Sequence, residues 1–164
     1  DYLLVLEEKR AGALPAARIQ GQLEGLREII SEHPQQTLYL DSGNTSDISY
    51  QHVLETLTRL GPARLAVLSF NDDAALGALK AVRELAWKDV AIVGQGADRM
   101  VRRELRQQDS PVIGSTAFRP EQYGEKVLEL AFKLLRGEAV PPAVYSESAF
   151  ISAANVDIYY PGEG

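Results

Sequence analysis

Short apolar segments alternate along the chain with longer segments of helical period. The apolar segments are Tyr2–Leu6, Thr37–Leu40, Leu65–Phe70, Val90–Val93 and Val112–Thr116. A turn and then a helical pattern follow each of them, which is typical of a parallel sheet covered by helices. The pattern therefore predicts an α/β fold, a doubly wound parallel sheet in a three-layer α/β/α arrangement.

Five helices are predicted from apolar spacings of three and four residues and from signals at their ends. Their expected limits are Pro15 to Pro34, Ser46 or Asp47 to Leu60, Asn71 or Asp72 to Leu85, Asp98 to Gln107, and Pro120 to Gly137. Beyond the fifth helix, residues 140–142 (VPP) predict a linker. Val144–Tyr145 and Phe150–Ile151 are predicted as short extended segments.

The loops that follow the carboxyl ends of parallel strands meet at one edge of an open sheet, and ligands bind in the crevice there. These loops are Glu7–Leu14, Asp41–Thr45, Asn71–Asp73, Gly94–Asp98 and Ala117–Arg119. Trp87 belongs to a loop at the opposite edge. Two roles stay open for Asn71: it caps a helix, or it hydrogen-bonds a ligand hydroxyl through both groups of its amide.

Composition narrows the classes of function. The chain has 164 residues, 17 Lys and Arg against 23 Asp and Glu, a net charge of −6 and no Cys. This is about one globular domain without a basic stripe, so we expect no nucleic-acid partner. Neither a signal-peptide pattern nor an apolar run of membrane-spanning length is present. The chain begins at Asp1 and enters an apolar run at once, so we expect a piece cut ahead of a strand.

Two glycine-containing strings resemble known binding loops only in part. Gly94–Gly96 opens like a dinucleotide loop, but the third glycine position is Arg99, and the preceding strand is the fourth. Residues 41–47 (DSGNTSD) resemble a calcium loop, but position six is Ser46. We therefore expect a tight turn at the first string and a turn with a helix cap at the second.

Catalytic and metal-binding groups are not evident in the sequence. His33 lies at a helix end and His52 on the exposed side of the second helix, with no third ligand in reach. There is no Gly-x-Ser-x-Gly motif, and neither histidine falls in a loop of the crevice. We expect no metal, no cofactor and no enzymatic activity. An enzyme of flavodoxin-like architecture is the least favoured of three alternatives for the function of this chain.

Longer strings of this chain resemble type I periplasmic sugar-binding proteins and the related lactose-repressor-type regulators. The strings are residues 17–21 (ARIQG), 65–83 (a strand, Asn-Asp and an Ala-Leu-Gly-Ala helix), 89–94, 113–124, 134–138 and 155–156. The resemblance implies the carboxyl-terminal lobe of a two-lobed protein that closes around a sugar. Residues 1–118 and 138–160 would form this lobe, and the helix in residues 119–137 would cross to an amino-terminal lobe.

The resemblance also implies ligand-binding positions. Two polar positions of the family's sugar site are retained: Arg18, which is suited to clamping hydroxyl or ring oxygens, and Asn71, which is followed by Asp72. Gly96 stands where the family usually has an Asp, and the position at which the family has an aromatic residue in the second loop aligns near Thr45. The family's strong carboxylate acceptor is therefore missing from its usual place.

Other side chains of the crevice loops are candidates to replace what is missing. Gln95, Asp98 or Arg119 would compensate for the lost carboxylate. Phe118 stands where the family usually has Gln, and it either stacks on an apolar face of the ligand or packs between the lobes.

The function that the resemblance implies is a solute receptor outside the cytoplasm that delivers a sugar or sugar-like molecule to an ABC-type membrane permease. The alternative is the effector-sensing domain of a cytoplasmic lactose-repressor-type transcription regulator. An upstream signal peptide or lipid-attachment Cys would identify the receptor, and an upstream helix-turn-helix the regulator. The fifth helix is apolar on more than one side, so we expect the isolated chain to self-associate or to fold this helix back onto its own sheet.

Overall fold

The computed structural model describes residues 1–30 and 36–163. Within these residues one sheet is formed by six strands: β1 (Tyr2–Glu7), β2 (Gln36–Asp41), β3 (Leu65–Ser69), β4 (Val90–Gly96), β5 (Val112–Ala117) and β6 (Ala149–Ile151). The α-helices are α1 (Ala13–Ile29), α2 (Ser46–Leu60), α3 (Asp72–Glu84), α4 (Arg99–Leu105), α5 (Tyr123–Leu135) and α6 (Val156–Tyr159). Short 3₁₀ helices at Lys9–Ala11 and Pro120–Gln122 precede α1 and α5.

The strand order of the sheet is β2-β1-β3-β4-β5-β6, with β1 to β5 parallel and β6 antiparallel to β5. The connection from β1 to β2 runs in one direction across the sheet, and the next connections run in the other direction. Because such crossovers are right-handed, α1 covers one face of the sheet and α2 to α4 cover the other. The predicted doubly wound three-layer fold is confirmed.

The core is centred on β1, whose residues Leu3 to Leu6 are all buried because helices cover both faces of this strand. The largest fully buried side chains are Leu3, Leu4, Leu6, Leu57, Ile92 and Ile151. Helices α2 and α3 approach each other closely at Gly77. A Cβ atom at that position would lie 2.4 Å from the main-chain oxygen of Ser46, so the absence of a side chain permits the contact.

Strand β4 and the carboxyl-terminal extended segment differ from the sequence-based expectation. β4 continues beyond Val93 because its pairing with β5 runs on to the pair Gly96 and Ala117. Residues 94–96 are therefore the end of a strand and not a loop. Val144–Tyr145 forms no strand, whereas Ala149–Ile151 pairs with β5.

Helix ends also differ from those predicted. Thr45, rather than Ser46 or Asp47, caps α2, because its hydroxyl accepts a hydrogen bond from Ile48 N–H at 3.3 Å. Asp98 occupies the residue before α4 but makes no side-chain cap bond. α4 ends at Leu105 instead of Gln107, and α5 begins after the 3₁₀ helix and ends at Leu135 instead of Gly137.

Helix α5 lies apart from the core, and none of its thirteen residues is buried. Val127 and Leu128 are each 60% exposed, and Phe132 is 55% exposed. Folding of this helix back onto its own sheet, one of the two expected outcomes, is thus not what the structure has. Self-association remains a prediction. No helix within the described ranges is long and apolar enough to cross a membrane.

Candidate functional site

The carboxyl ends of β1 to β5 form one edge of the sheet, here called the carboxyl edge. The strand order reverses between β1 and β3, since β2 lies on one side of β1 and β3 on the other. At such a switch point the loops after neighbouring strands diverge and leave a crevice, the usual ligand position in an open α/β sheet. Arg18, on α1 after β1, and Asn71, two residues after the end of β3, flank this switch point.

Arg18 is attached to the carboxyl edge by three contacts. Its Nη1 donates to the main-chain oxygen of Phe70 at 3.2 Å, and its guanidinium lies over the ring of Phe118, 4.5 Å from the ring centroid. The main-chain oxygen of Arg18 accepts from Nε2 of Gln95 at 3.3 Å. Three of the predicted site residues, Arg18, Gln95 and Phe118, are therefore brought together although they lie on α1, on β4 and after β5.

Asn71 is the cap of helix α3. Its Oδ1 accepts a hydrogen bond from Ala74 N–H at 2.9 Å, and its Nδ2 donates to Oδ1 of Asn44 at 2.8 Å. The side chain is half-buried. An amide nitrogen carries two N–H groups, so one of them is left for another acceptor. Capping and ligand binding are thus compatible at this residue.

Asp72 differs from the other candidates because it is 1% exposed. Its Oδ2 accepts from Asp98 N–H at 2.6 Å, and its Oδ1 accepts from the hydroxyl of Ser115 at 2.7 Å. Burial raises the pKa of the Asp72 carboxyl to about 6, against the opposing effect of these two hydrogen bonds. Both oxygens are engaged inside the protein, so Asp72 holds the start of α4 against β5 instead of facing a ligand.

Two further candidates stand apart from the Arg18 contacts. The side chain of Asp98 is exposed next to Gly96, whose added Cβ would meet the Asp98 carboxyl carbon at 3.4 Å. Arg119 pairs with Glu121 at 3.6 Å and lies 5.7 Å from the ring of Tyr159. The structure thus places Asp98 beside Gly96, the strand-end position that lacks the family's carboxylate, and directs Arg119 toward the carboxyl-terminal segment.

Sequence reasoning missed Ser115 and Asn44. Ser115 is fully buried on β5, and its hydroxyl accepts from Ala97 N–H at 2.9 Å while donating to Asp72. Asn44 reaches Asn71 from the loop after β2. Asn44 and Ser115 hydrogen-bond residues that lie 27 and 43 positions away in the sequence. No local spacing in the sequence could therefore have indicated them.

A surface hollow of about 790 Å³ lies at the opposite, amino edge around Trp87 and Lys88. On its wall Arg83 is already bound to Glu104, with Nη2 and Oε2 2.6 Å apart. Ligands of open parallel sheets bind at the carboxyl edge. We therefore place the candidate ligand site at the carboxyl edge and not in the hollow at the amino edge.

Metal ligands are not gathered anywhere in residues 1–30 and 36–163, where no group of three histidine or acidic side chains could hold an ion. His52 is exposed, and its Nδ1 lies 2.6 Å from the main-chain oxygen of Asp41. His33 lies outside the described residues.

Comparison with known proteins gives the family. Residues 3–139 match the sequence model described as the periplasmic binding protein domain. The chain is 32% identical over 136 residues to the ribose import binding protein RbsB of Escherichia coli (strain K12), with 83% of this chain and 45% of that protein covered. The chain thus spans less than half the length of this curated relative.

Solved structures agree with this result. An ABC transporter periplasmic solute binding protein from Actinobacillus succinogenes 130z with bound D-allose has a TM-score of 0.82 at 16% identity, over 96% of this chain and 55% of that one. A protein from Mycobacterium smegmatis in complex with β-D-fucofuranose has a TM-score of 0.77 at 25% identity, over 98% and 52%. The chain therefore belongs to the periplasmic binding protein domain family.

Proposed function

We propose that this chain is one ligand-binding lobe of a two-lobed receptor that works outside the cytoplasm, binds a sugar or sugar-like polyol and delivers it to an ABC-type membrane transporter. The observation that carries the proposal is the meeting of Arg18, Gln95 and Phe118 at the carboxyl edge, where Arg18 also binds the main chain of Phe70, the residue before Asn71. Guanidinium and amide groups hydrogen-bond hydroxyl oxygens, and the face of an aromatic ring stabilises a guanidinium charge. The sugar-binding relatives support a carbohydrate ligand.

Helix α5 supports the presence of a second lobe. The chain leaves the sheet after Ala117 and re-enters it at Ala149, and these two residues pair directly. Between them runs a segment whose helix has no buried residue. An apolar helix of this kind needs cover from another surface. The helix in residues 119–137 would be covered by crossing to the second lobe. Residues 1–118 and 138–160 would form the lobe described here.

The proposal is tested by calorimetric titration of the protein carrying both lobes with D-ribose, D-allose and myo-inositol. We expect at least one of them to bind, and Arg18→Ala to weaken that binding about 10- to 100-fold because ligand oxygens lose a charged donor in a closed cleft. Uptake of the bound sugar by cells that lack and then regain the receptor tests delivery to the transporter.

Arg59→Ala is the matched control. Arg59 lies near the end of α2, is 71% exposed and pairs only at the surface with Glu55, 3.3 Å away. Its loss should leave sugar affinity unchanged. The proposal is rejected if no sugar or polyol binds the wild-type protein, or if Arg18→Ala and Arg59→Ala have equal effects on affinity.

A further inference from the structure

The ring of Phe118 supports a charged side chain in this structure. The centre of the Arg18 guanidinium lies 4.5 Å from the ring centroid, within the distance at which a cation is attracted to an aromatic face. Both residues are half-buried. One face of the Phe118 ring is therefore occupied by Arg18, which bears directly on whether this ring can stack on a ligand.

The charge of Arg18 has an unusual environment for this chain. Among the described residues no carboxylate lies within ion-pair distance of Arg18, whereas Arg83 pairs with Glu104 and Arg102 with Glu163, each at 2.6 Å. A carboxylate partner occupies the N–H groups of a guanidinium, often two at a time. An aromatic ring stabilises the same charge from the face and leaves those N–H groups unoccupied.

The remaining contacts of Arg18 fix where the guanidinium lies. Nη1 donates to Phe70 O, and Gln95, which is 7% exposed, binds the main-chain oxygen of Arg18. The buried amide of Gln95 thus holds the backbone of α1, and the Phe118 ring holds the far end of the side chain. Nε and Nη2 have no partner within residues 1–30 and 36–163, so they are open to a ligand.

We propose that Phe118 is a positioning residue that acts through Arg18 and does not itself stack on the ligand. It holds the guanidinium so that Nε and Nη2 meet a pair of adjacent acceptor oxygens, either two vicinal hydroxyls of a sugar or polyol or a carboxylate of a sugar acid. The inference rests on the proposed function only for the ligand, since the contact between Arg18 and Phe118 exists without one.

The contact is tested first without ligand, by NMR of the arginine side chains in the protein carrying both lobes. The Phe118 ring current should shift the Arg18 side-chain proton signals upfield. Phe118→Tyr retains the ring and should retain this shift, whereas Phe118→Leu removes the ring and should abolish it. An Arg18 spectrum that is the same in the wild-type protein and in Phe118→Leu would overturn the proposal.

The role in binding is tested by a double-mutant cycle with D-ribose, D-allose and D-gluconate as probes. Phe118→Leu should weaken the binding of the tightest probe roughly 3- to 30-fold in the wild-type background, the range of a cation–aromatic contact, and Phe118→Tyr should not. In the Arg18→Ala background, Phe118→Leu should have almost no further effect.

The cycle separates the two roles of the ring. An equal penalty for Phe118→Leu in both backgrounds would mean that the ring contacts the ligand directly, and would overturn the proposal. If the wild-type protein binds neither these probes nor myo-inositol, the proposed function fails, and the NMR comparison alone then decides whether Phe118 positions Arg18. Tighter binding of D-gluconate than of the neutral sugars would identify the acceptor pair as a carboxylate.

Discussion

Replacement of Asp72 by asparagine should change how the stability of this chain depends on pH. The Asp72 carboxyl is 1% exposed, and burial raises its pKa from the ordinary value of 3.8 to about 6. Between these values the folded state binds the Asp72 proton and the unfolded state does not. The free energy of unfolding contributed by this group is therefore fully present below pH 3.8 and is lost as the pH rises through about 6.

The magnitude follows from the size of the pKa change. Each pKa unit corresponds to about 1.4 kcal/mol, so the whole contribution is about 3 kcal/mol. Most of it, about 2 kcal/mol, falls between about pH 4 and pH 7. The asparagine side chain of the Asp72→Asn variant has the same shape as the carboxyl group but does not titrate. The difference in unfolding free energy between the wild-type chain and this variant should therefore fall by about 2 kcal/mol over this interval.

The assay is urea unfolding of both chains at half-unit steps from about pH 4 to pH 7. Subtraction of one curve from the other removes carboxylates such as Glu163, whose pKa is lowered by its hydrogen bond to Arg102 and whose contribution has the opposite sign. Ser115→Ala removes a hydrogen bond that favours the ionised carboxylate, so the decline should extend to higher pH in that variant. Parallel curves for the wild-type chain and Asp72→Asn would refute the reasoning.

Three further outcomes are expected. Gly77→Ala should destabilise the chain by about 1–3 kcal/mol in urea unfolding because the added methyl meets main chain of α2, whereas Gly25→Ala, with open space around it in α1, should stabilise it by about 0.5–1 kcal/mol. Asn71→Ala should cost about 1 kcal/mol of stability through the lost cap, and Asn71→Ser should cost little because Ser also caps. Sugar affinity measured by calorimetry should fall by about 1–3 kcal/mol in both variants, and unchanged affinity would leave Asn71 with its capping role alone. The isolated 164-residue chain should self-associate through α5, as measured by light scattering, and should bind sugar poorly. The variant Phe132→Glu should make the chain monomeric. A wild-type chain that is monomeric, or that binds sugar as tightly as the two-lobed protein, would contradict the lobe assignment.

The positions of the five parallel strands could be predicted from the sequence because each coincides with a short, continuous apolar segment, as burial on both faces requires in β1. Four of them were predicted to within one residue at each end. β4 was predicted three residues too short, because its last residues, Gly94 to Gly96, pair through their backbone with β5 and carry no apolar side chain that would indicate a strand. Local patterns report side-chain burial, and they do not report which backbone lies alongside.

The candidate site was likewise predictable from the sequence in part, and in part decided by the tertiary structure. Its location at the carboxyl edge and the choice of Arg18, Asn71, Gln95 and Phe118 came from the order of elements and from the family resemblance. The burial of Asp72 depends on Ser115 and on the backbone of Asp98, and the support of Arg18 depends on a ring far along the chain, after β5. Hydrogen bonds and cation–aromatic contacts act over a few ångströms, so the sequence by itself determined which residues reach the carboxyl edge, and only the packing of strands and helices decided which of them touch.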